Sequence, residues 1–163
     1  MMNTMNKEVY YVQNPALGAV ILWRFICGYY NKGKDFTPFP LLFIVLPIVF
    51  REDLREVIET TQKKSGLSKV SEKLFKGKSI NELYTINNTA IDLRKLSLDS
   101  IRIGIACGLF NVNMETALVY PLIETNKRLS AETNRILAAS EKLGVWCSEM
   151  TLLEICNWLK VRF

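Results

Sequence analysis

The apolar positions of this chain fall into a series of helical patterns, interrupted once by a pattern of shorter period. Asn14-Pro15 opens the first helix. Asparagine can accept a bond from a free N–H of the first turn, and proline there lacks only an N–H that would have no helical partner. From Ala16 to Tyr30 the residues are apolar almost all round, with Arg24 as the single charge, before Asn31-Lys32-Gly33-Lys34-Asp35 ends the run. Such a helix is either central in a core or covered by a partner. A second apolar run, Pro38 to Phe50, contains Pro47 and is followed at once by Arg51-Glu52-Asp53. A membrane span needs about 20 apolar residues, and both runs fall short. The pattern therefore predicts two buried helices in the middle of the fold in preference to a membrane hairpin.

Residues 51–62 predict an exposed helix with Leu54, Val57 and Ile58 on one side and charges elsewhere. After Gly66, a short helix from Leu67 to Phe75 turns Val70 and Leu74 inward and is closed by Gly77. Ser79-Ile80-Asn81-Glu82 has the form of a capping box and opens a helix to about Leu93. The next helix, about Leu98 to Gly108, presents Leu98, Ile101, Ile105 and Leu109 as its apolar face. Two short β-prone runs follow around the polar turn Asn113-Met114-Glu115-Thr116, which predicts a hairpin over 109–121. Helix followed by hairpin has the shape of a winged helix. Ser130 can cap a helix to Leu143, closed by Gly144, and Thr151-Leu152-Leu153-Glu154 is a second capping box. It opens a last helix with Leu152, Ile155, Cys156 and Leu159 on one face. Phe163, directly after it, is expected to dock rather than hang free. The fold expected is mainly α with a small β-hairpin: an N-terminal extension, 1–13, and one compact helical domain, 14–163.

Composition narrows the chemistry more than it suggests any. The 163 residues include no histidine, which removes the commonest general base, the commonest zinc ligand and every Ser-His or Cys-His nucleophile pair. Cys27, Cys107, Cys147 and Cys156 are dispersed among apolar neighbours, as small core thiols in a reducing cytoplasm would be. Neither a G-x-x-x-x-G-K-[ST] nor a G-x-G-x-x-G phosphate loop occurs. Catalytic, metal and cofactor-binding residues are therefore all expected to be absent. Trp23, Trp146 and Trp158 read as core or interface anchors.

The charge is concentrated. The net charge is +5, and residues 61–78 carry all of it: Lys63, Lys64, Lys69, Lys73, Lys76 and Lys78 against Glu72. Lys69, Lys73 and Lys76 follow a helical spacing and share a face, which could contact DNA phosphates without reading sequence, or be a solvated surface. Lysines without interleaved aromatics are a weak nucleic-acid signature. The helix before the hairpin offers little beyond Arg102 for reading bases, so the module is better suited to holding protein than operator DNA.

Asn14-Pro15-Ala16-Leu17-Gly18-Ala19, with Leu22-Trp23-Arg24-Phe25 and Gly28-Tyr29, resembles the opening of the middle-component family of bacterial three-component ABC systems. Phe39-Pro40 through Pro47-Ile48-Val49 is similar to that family's second signature, and Leu143-Gly144-Val145-Trp146 and Leu159 to Phe163 to its C-terminal end. Within the group the chain looks most like the small subunit of Lamassu-type antiphage defence. The resemblance implies a non-catalytic cytoplasmic adaptor. It would link an ABC ATPase resembling structural-maintenance-of-chromosomes proteins to an effector, often a nuclease, that is held inactive until foreign DNA is sensed. Asn14, Pro15, Leu22, Trp23, Arg24, Phe25, Pro40 and Pro47 would be core or interface positions of the family motif. The alternative is a stand-alone winged-helix DNA-binding regulator.

Overall fold

A computed structural model describes residues 14–77, 84–124 and 131–163, with the side chains of 131 and 132 left aside. Eight α-helices and three short strands make up these residues: α1 Pro15–Gly33, β1 Thr37–Pro38, α2 Leu42–Val49, α3 Glu52–Thr60, α4 Gly66–Phe75, α5 Thr85–Asp92, α6 Arg94–Ala106, β2 Phe110–Asn113, β3 Leu118–Pro121, α7 Ala131–Ser148 and α8 Leu152–Leu159. Single 3-10 turns at Phe39–Leu41 and Lys63–Ser65 lead into α2 and α4. The expected extension 1–13, the Ser79–Glu82 capping box, Lys78 and Ser130 lie outside the described residues.

Helix α1 is the axis of the fold. The Asn14 side chain accepts the Leu17 N–H at 3.0 Å, Pro15 occupies the first turn, and Lys34 in the left-handed region closes the far end. Ile21, Leu22, Phe25 and Ile26 are fully buried, and Pro47, Leu42 and Leu46 of α2 are buried beside them. These apolar helices are thus covered by the chain itself, α1 chiefly by α7 and α6 and α2 chiefly by α5, and need no partner to shield them. That corrects one motive for expecting an interface there. The helices approach closely because their contact points are small. A Cβ on Gly28 would stand 2.2 Å from the Glu141 carbonyl oxygen, and one on Gly144 would stand 2.2 Å from that of Phe25. Gly144 therefore does not end its helix as expected; α7 runs on to Ser148 so that this glycine can sit against α1.

The expected hairpin is present, with Phe110 opposite Pro121 and Asn113 opposite Leu118. Thr37–Pro38 adds a strand that periodicity did not suggest, giving a three-stranded antiparallel sheet in the order β1-β3-β2. Helix, strand, helices, hairpin, with the first strand against the last, is winged-helix connectivity, here with extra helices before α6. Helix α6 departs from expectation in the face it buries. It starts at Arg94 and turns Leu96, Ser97, Ser100, Ile101 and Gly104 inward, leaving Leu98 and Ile105 exposed. Ser100 is placed where a Cβ on Gly18 would collide with it, and Gly104 admits the ring of Phe110. Small residues, Ser97, Ser100 and Gly104, share that inward face with Leu96 and Ile101.

The C-terminal capping box forms as predicted. Thr151 Oγ1 accepts the Glu154 N–H at 3.3 Å, and the Glu154 carboxylate accepts the Thr151 N–H at 2.7 Å. Ile155 and Leu159 then anchor α8 to the core.

Candidate functional site

The family-motif residues are structural first. Leu22 and Phe25 are fully buried, and Trp23, almost as buried, donates its indole N–H to the Ile123 carbonyl at 2.6 Å. Arg24 pairs with the Glu141 carboxylate of α7 and lies beside the Trp23 ring, so the charge in the middle of α1 ties it to its main packing partner. Pro40 sits in the turn before α2, and Pro47 is buried inside that helix. Asn14 and Pro15 start α1.

The basic segment is a braced surface. Its backbone is held from α7: Lys142 Nζ donates to the carbonyls of Ile58, Glu59 and Thr61 at 2.9, 3.2 and 3.0 Å, and Trp146 donates its indole N–H to that of Lys63 at 2.7 Å. Burial pulls the Lys142 amine below its ordinary pKa. From α4, Ser71 Oγ donates to the Trp158 carbonyl at 2.6 Å, fixing α8 alongside. Lys63, Lys64, Lys69, Lys73 and Lys76 are all exposed on this frame. Two of them have local partners: Lys69 meets Glu72 at 2.8 Å, and Lys73 donates to Thr61 Oγ1 at 3.0 Å. The Lys69 ammonium, by hydrogen bond and charge, holds the Glu72 carboxyl below the usual range. The tertiary structure supplies the aromatic that the linear segment lacks. The Trp158 side chain, 40 % exposed, borders a shallow depression with Ser65, Ser68, Lys69 and Glu72.

On the winged-helix-like side, the outward face of α6 carries Leu98 at 41 % and Ile105 at 38 % exposure, with exposed Arg102 between them. Lys95 and Asp99 form a 2.6 Å pair on the same helix. The apolar side chains stand where a base-reading helix would place amides and guanidiniums.

The cysteines divide. Burial pushes the Cys27 and Cys147 thiols up to about 12, while Cys107 is exposed, contrary to the expectation of four thiols in apolar surroundings. Among the described residues, no three His, Cys, Asp or Glu side chains are grouped so that they could hold a metal ion. No described helix is long and apolar enough to cross a membrane.

These features define a compact helical module with a small sheet. The chain belongs to the ABC-three component (ABC-3C) system Middle Component 3 family, which it matches over residues 2–163. No curated protein and no solved structure matches it. Sequence reasoning missed the exposed α6 face because it assigned Leu98 and Ile105 inward. It missed Trp158 beside the lysines because the two are distant in sequence.

Proposed function

We propose that this middle component is the non-catalytic, cytoplasmic adaptor of a Lamassu-type antiphage complex. It links an SMC-like ABC ATPase to an effector nuclease and helps hold the effector inactive until foreign DNA is sensed. The observation that carries the adaptor role is the outer face of α6. An exposed pair, Leu98 and Ile105, on the helix preceding the hairpin suits a protein partner and does not suit base readout. Membership of a three-component family supports the reading, since a middle component implies other components.

Co-expression of the tagged chain with the other two components, followed by purification, tests it. The expected result is a stable complex that the Leu98→Glu/Ile105→Glu variant weakens by about tenfold or more, the scale of losing a well-packed interface anchor. A soluble monomer that captures neither component sinks the proposal. Sequence-selective duplex binding by the isolated chain, lost on changing Arg102, favours the stand-alone regulator instead.

Lys63, Lys64, Lys69, Lys73, Lys76 and Lys78 are proposed as a sequence-non-specific DNA-phosphate surface of the assembled complex, Trp158 supplying an aromatic at its edge.

A further inference from the structure

A groove of about 320 Å³ opens between the start of α2, the end of α5, the first residue of α6 and the residues after α8. Its apolar side is built by Phe39 and Phe43, packed edge to face with ring centroids 5.6 Å apart. Ile91 of α5, 66 % exposed, and Phe163, 52 % exposed, border it with apolar surface. The far wall is fixed in place. Lys160 takes the left-handed conformation after α8, Val161 is buried, and the Arg162 N–H donates to Asn87 Oδ1 at 3.1 Å. Phe163 thus follows a pinned residue, and its ring lines the opening instead of filling the core.

The charged side chains at the rim have one sign. Arg94 and Arg162 both line the groove, no acidic side chain does, and neither guanidinium has a carboxylate partner among the described residues. An apolar trough with two guanidiniums at its edge is complementary to a segment with bulky apolar side chains next to carboxylates, because guanidinium pairs carboxylate through two parallel N–H bonds. Asn87, the amide in the lining, already spends its carbonyl oxygen on the Arg162 backbone, so there is no converging polar set of the kind that orients a small ligand.

We infer that this groove is a docking site for one protein component of the system, through a short segment that presents two bulky apolar residues beside an Asp or Glu. The inference rests on the adaptor role and gives it a second surface, which adjoins the outer face of α6 at Arg94, one turn before Leu98: Ile91, Arg94, Arg162 and Phe163 receive the segment, with the arginines setting its direction.

The test uses the full-length chain and two probes. One is the co-expressed pair of other components. The other is a set of fluorescent peptides of about 15 residues tiled across both of their sequences, long enough to cover several turns of helix. The expected result is one peptide, carrying an acidic residue beside two bulky apolar ones, whose binding is weakened about tenfold or more by Ile91→Glu and by Arg94→Glu, and little by Arg94→Lys. Exchanging that peptide's acid for Lys should restore binding to the Arg94→Glu chain. Ile91 and Arg94 are exposed, so circular dichroism and the thermal midpoint should be unchanged and should separate lost docking from lost folding.

If the wild type assembles with both components, and the groove variants do so equally well while Leu98→Glu/Ile105→Glu does not, the groove assignment is overturned and the adaptor role stands. If the wild type captures neither component, both fall. A concentration-dependent dimer abolished by Ile91→Glu would make the occupant a second copy of this chain. Displacement of the bound peptide by duplex DNA, with no peptide selectivity, would make it nucleic acid. Either of these outcomes also overturns the assignment.

Discussion

Gly144 of α7 lies against the backbone of Phe25 in α1, so close that a Cβ would stand 2.2 Å from the Phe25 carbonyl oxygen and 3.0 Å from the Tyr29 nitrogen. Three residues earlier on α7, the carbonyl of Glu141 meets Gly28 at the same 2.2 Å to an added Cβ. The two helices are keyed into each other by reciprocal glycines, and Arg24 pairing with Glu141 crosses the same contact. Gly144→Ala and Gly28→Ala should each destabilise by about 1–3 kcal/mol, because the obstructing atoms belong to helix backbone and cannot turn aside. Urea unfolding checks this, and an unchanged midpoint for both variants would refute the close crossing.

Lys142 is expected to act as a cap for α3. Its ammonium reaches the carbonyls of Ile58, Glu59 and Thr61 at the end of that helix. Lys142→Met keeps the stem and leaves those carbonyls without the ammonium, which should cost about 1–3 kcal/mol. Hydrogen exchange gives the sharper readout: faster exchange should concentrate in α3 and residues 61–65, with α6 and the hairpin unaffected.

The thiols should react in a fixed order. Cys107 is exposed, whereas Cys27 and Cys147 are buried with pKa values pushed up to about 12 by desolvation. An alkylating reagent at neutral pH should label Cys107 first and the other two only on unfolding. The same shift sets an alkaline limit on stability. Above the ordinary thiol value of 9.0 the unfolded chain loses these protons while the folded chain keeps them until about 12. The folded state then binds more protons, so stability falls as pH rises through that window. A Cys27→Ala/Cys147→Ala variant, compared at neutral pH and above 9.0, should lose less stability than the wild type over the same interval.

The basic face should behave additively. In the assembled complex, Lys69→Gln/Lys73→Gln/Lys76→Gln should weaken DNA binding and reduce its salt dependence by up to about three phosphate contacts' worth. Exposed side chains of this kind affect folding by less than about 0.5 kcal/mol each, so assembly should persist. Trp158→Ala should weaken single-stranded DNA more than duplex, since stacking needs an open base face. Unchanged affinity and salt slope in the triple variant would leave these lysines as a solvated surface. Failure to assemble would point to an acidic protein partner for them.

What could be read from the residues alone was whatever is decided within a few positions along the chain. The Asn14-Pro15 start of α1, the Thr151–Glu154 capping box and the β2–β3 hairpin all depend on groups close together along the chain, so their chemistry is visible in linear order. The apolar runs of α1 and α2 likewise announced burial, though not by what. Contacts between distant segments were decided by the tertiary structure. Thr37–Pro38 becomes a strand because β3, some eighty positions later, offers an open edge, and two residues carry no period of their own. Gly144 looks like a helix terminator until α1 is beside it. Helix α6 buries Ser97, Ser100 and Gly104 and exposes Leu98 and Ile105 because close approach to α1 and Phe110 demands small atoms, which a count of hydrophobic positions assigns to the wrong side. Trp158 joins the lysines of α4 through the packing of α8 on α4, which the bond from Ser71 helps fix. Local hydrogen bonding and amphipathic period are properties of the sequence; which faces meet is settled by steric fit between segments that the sequence keeps apart.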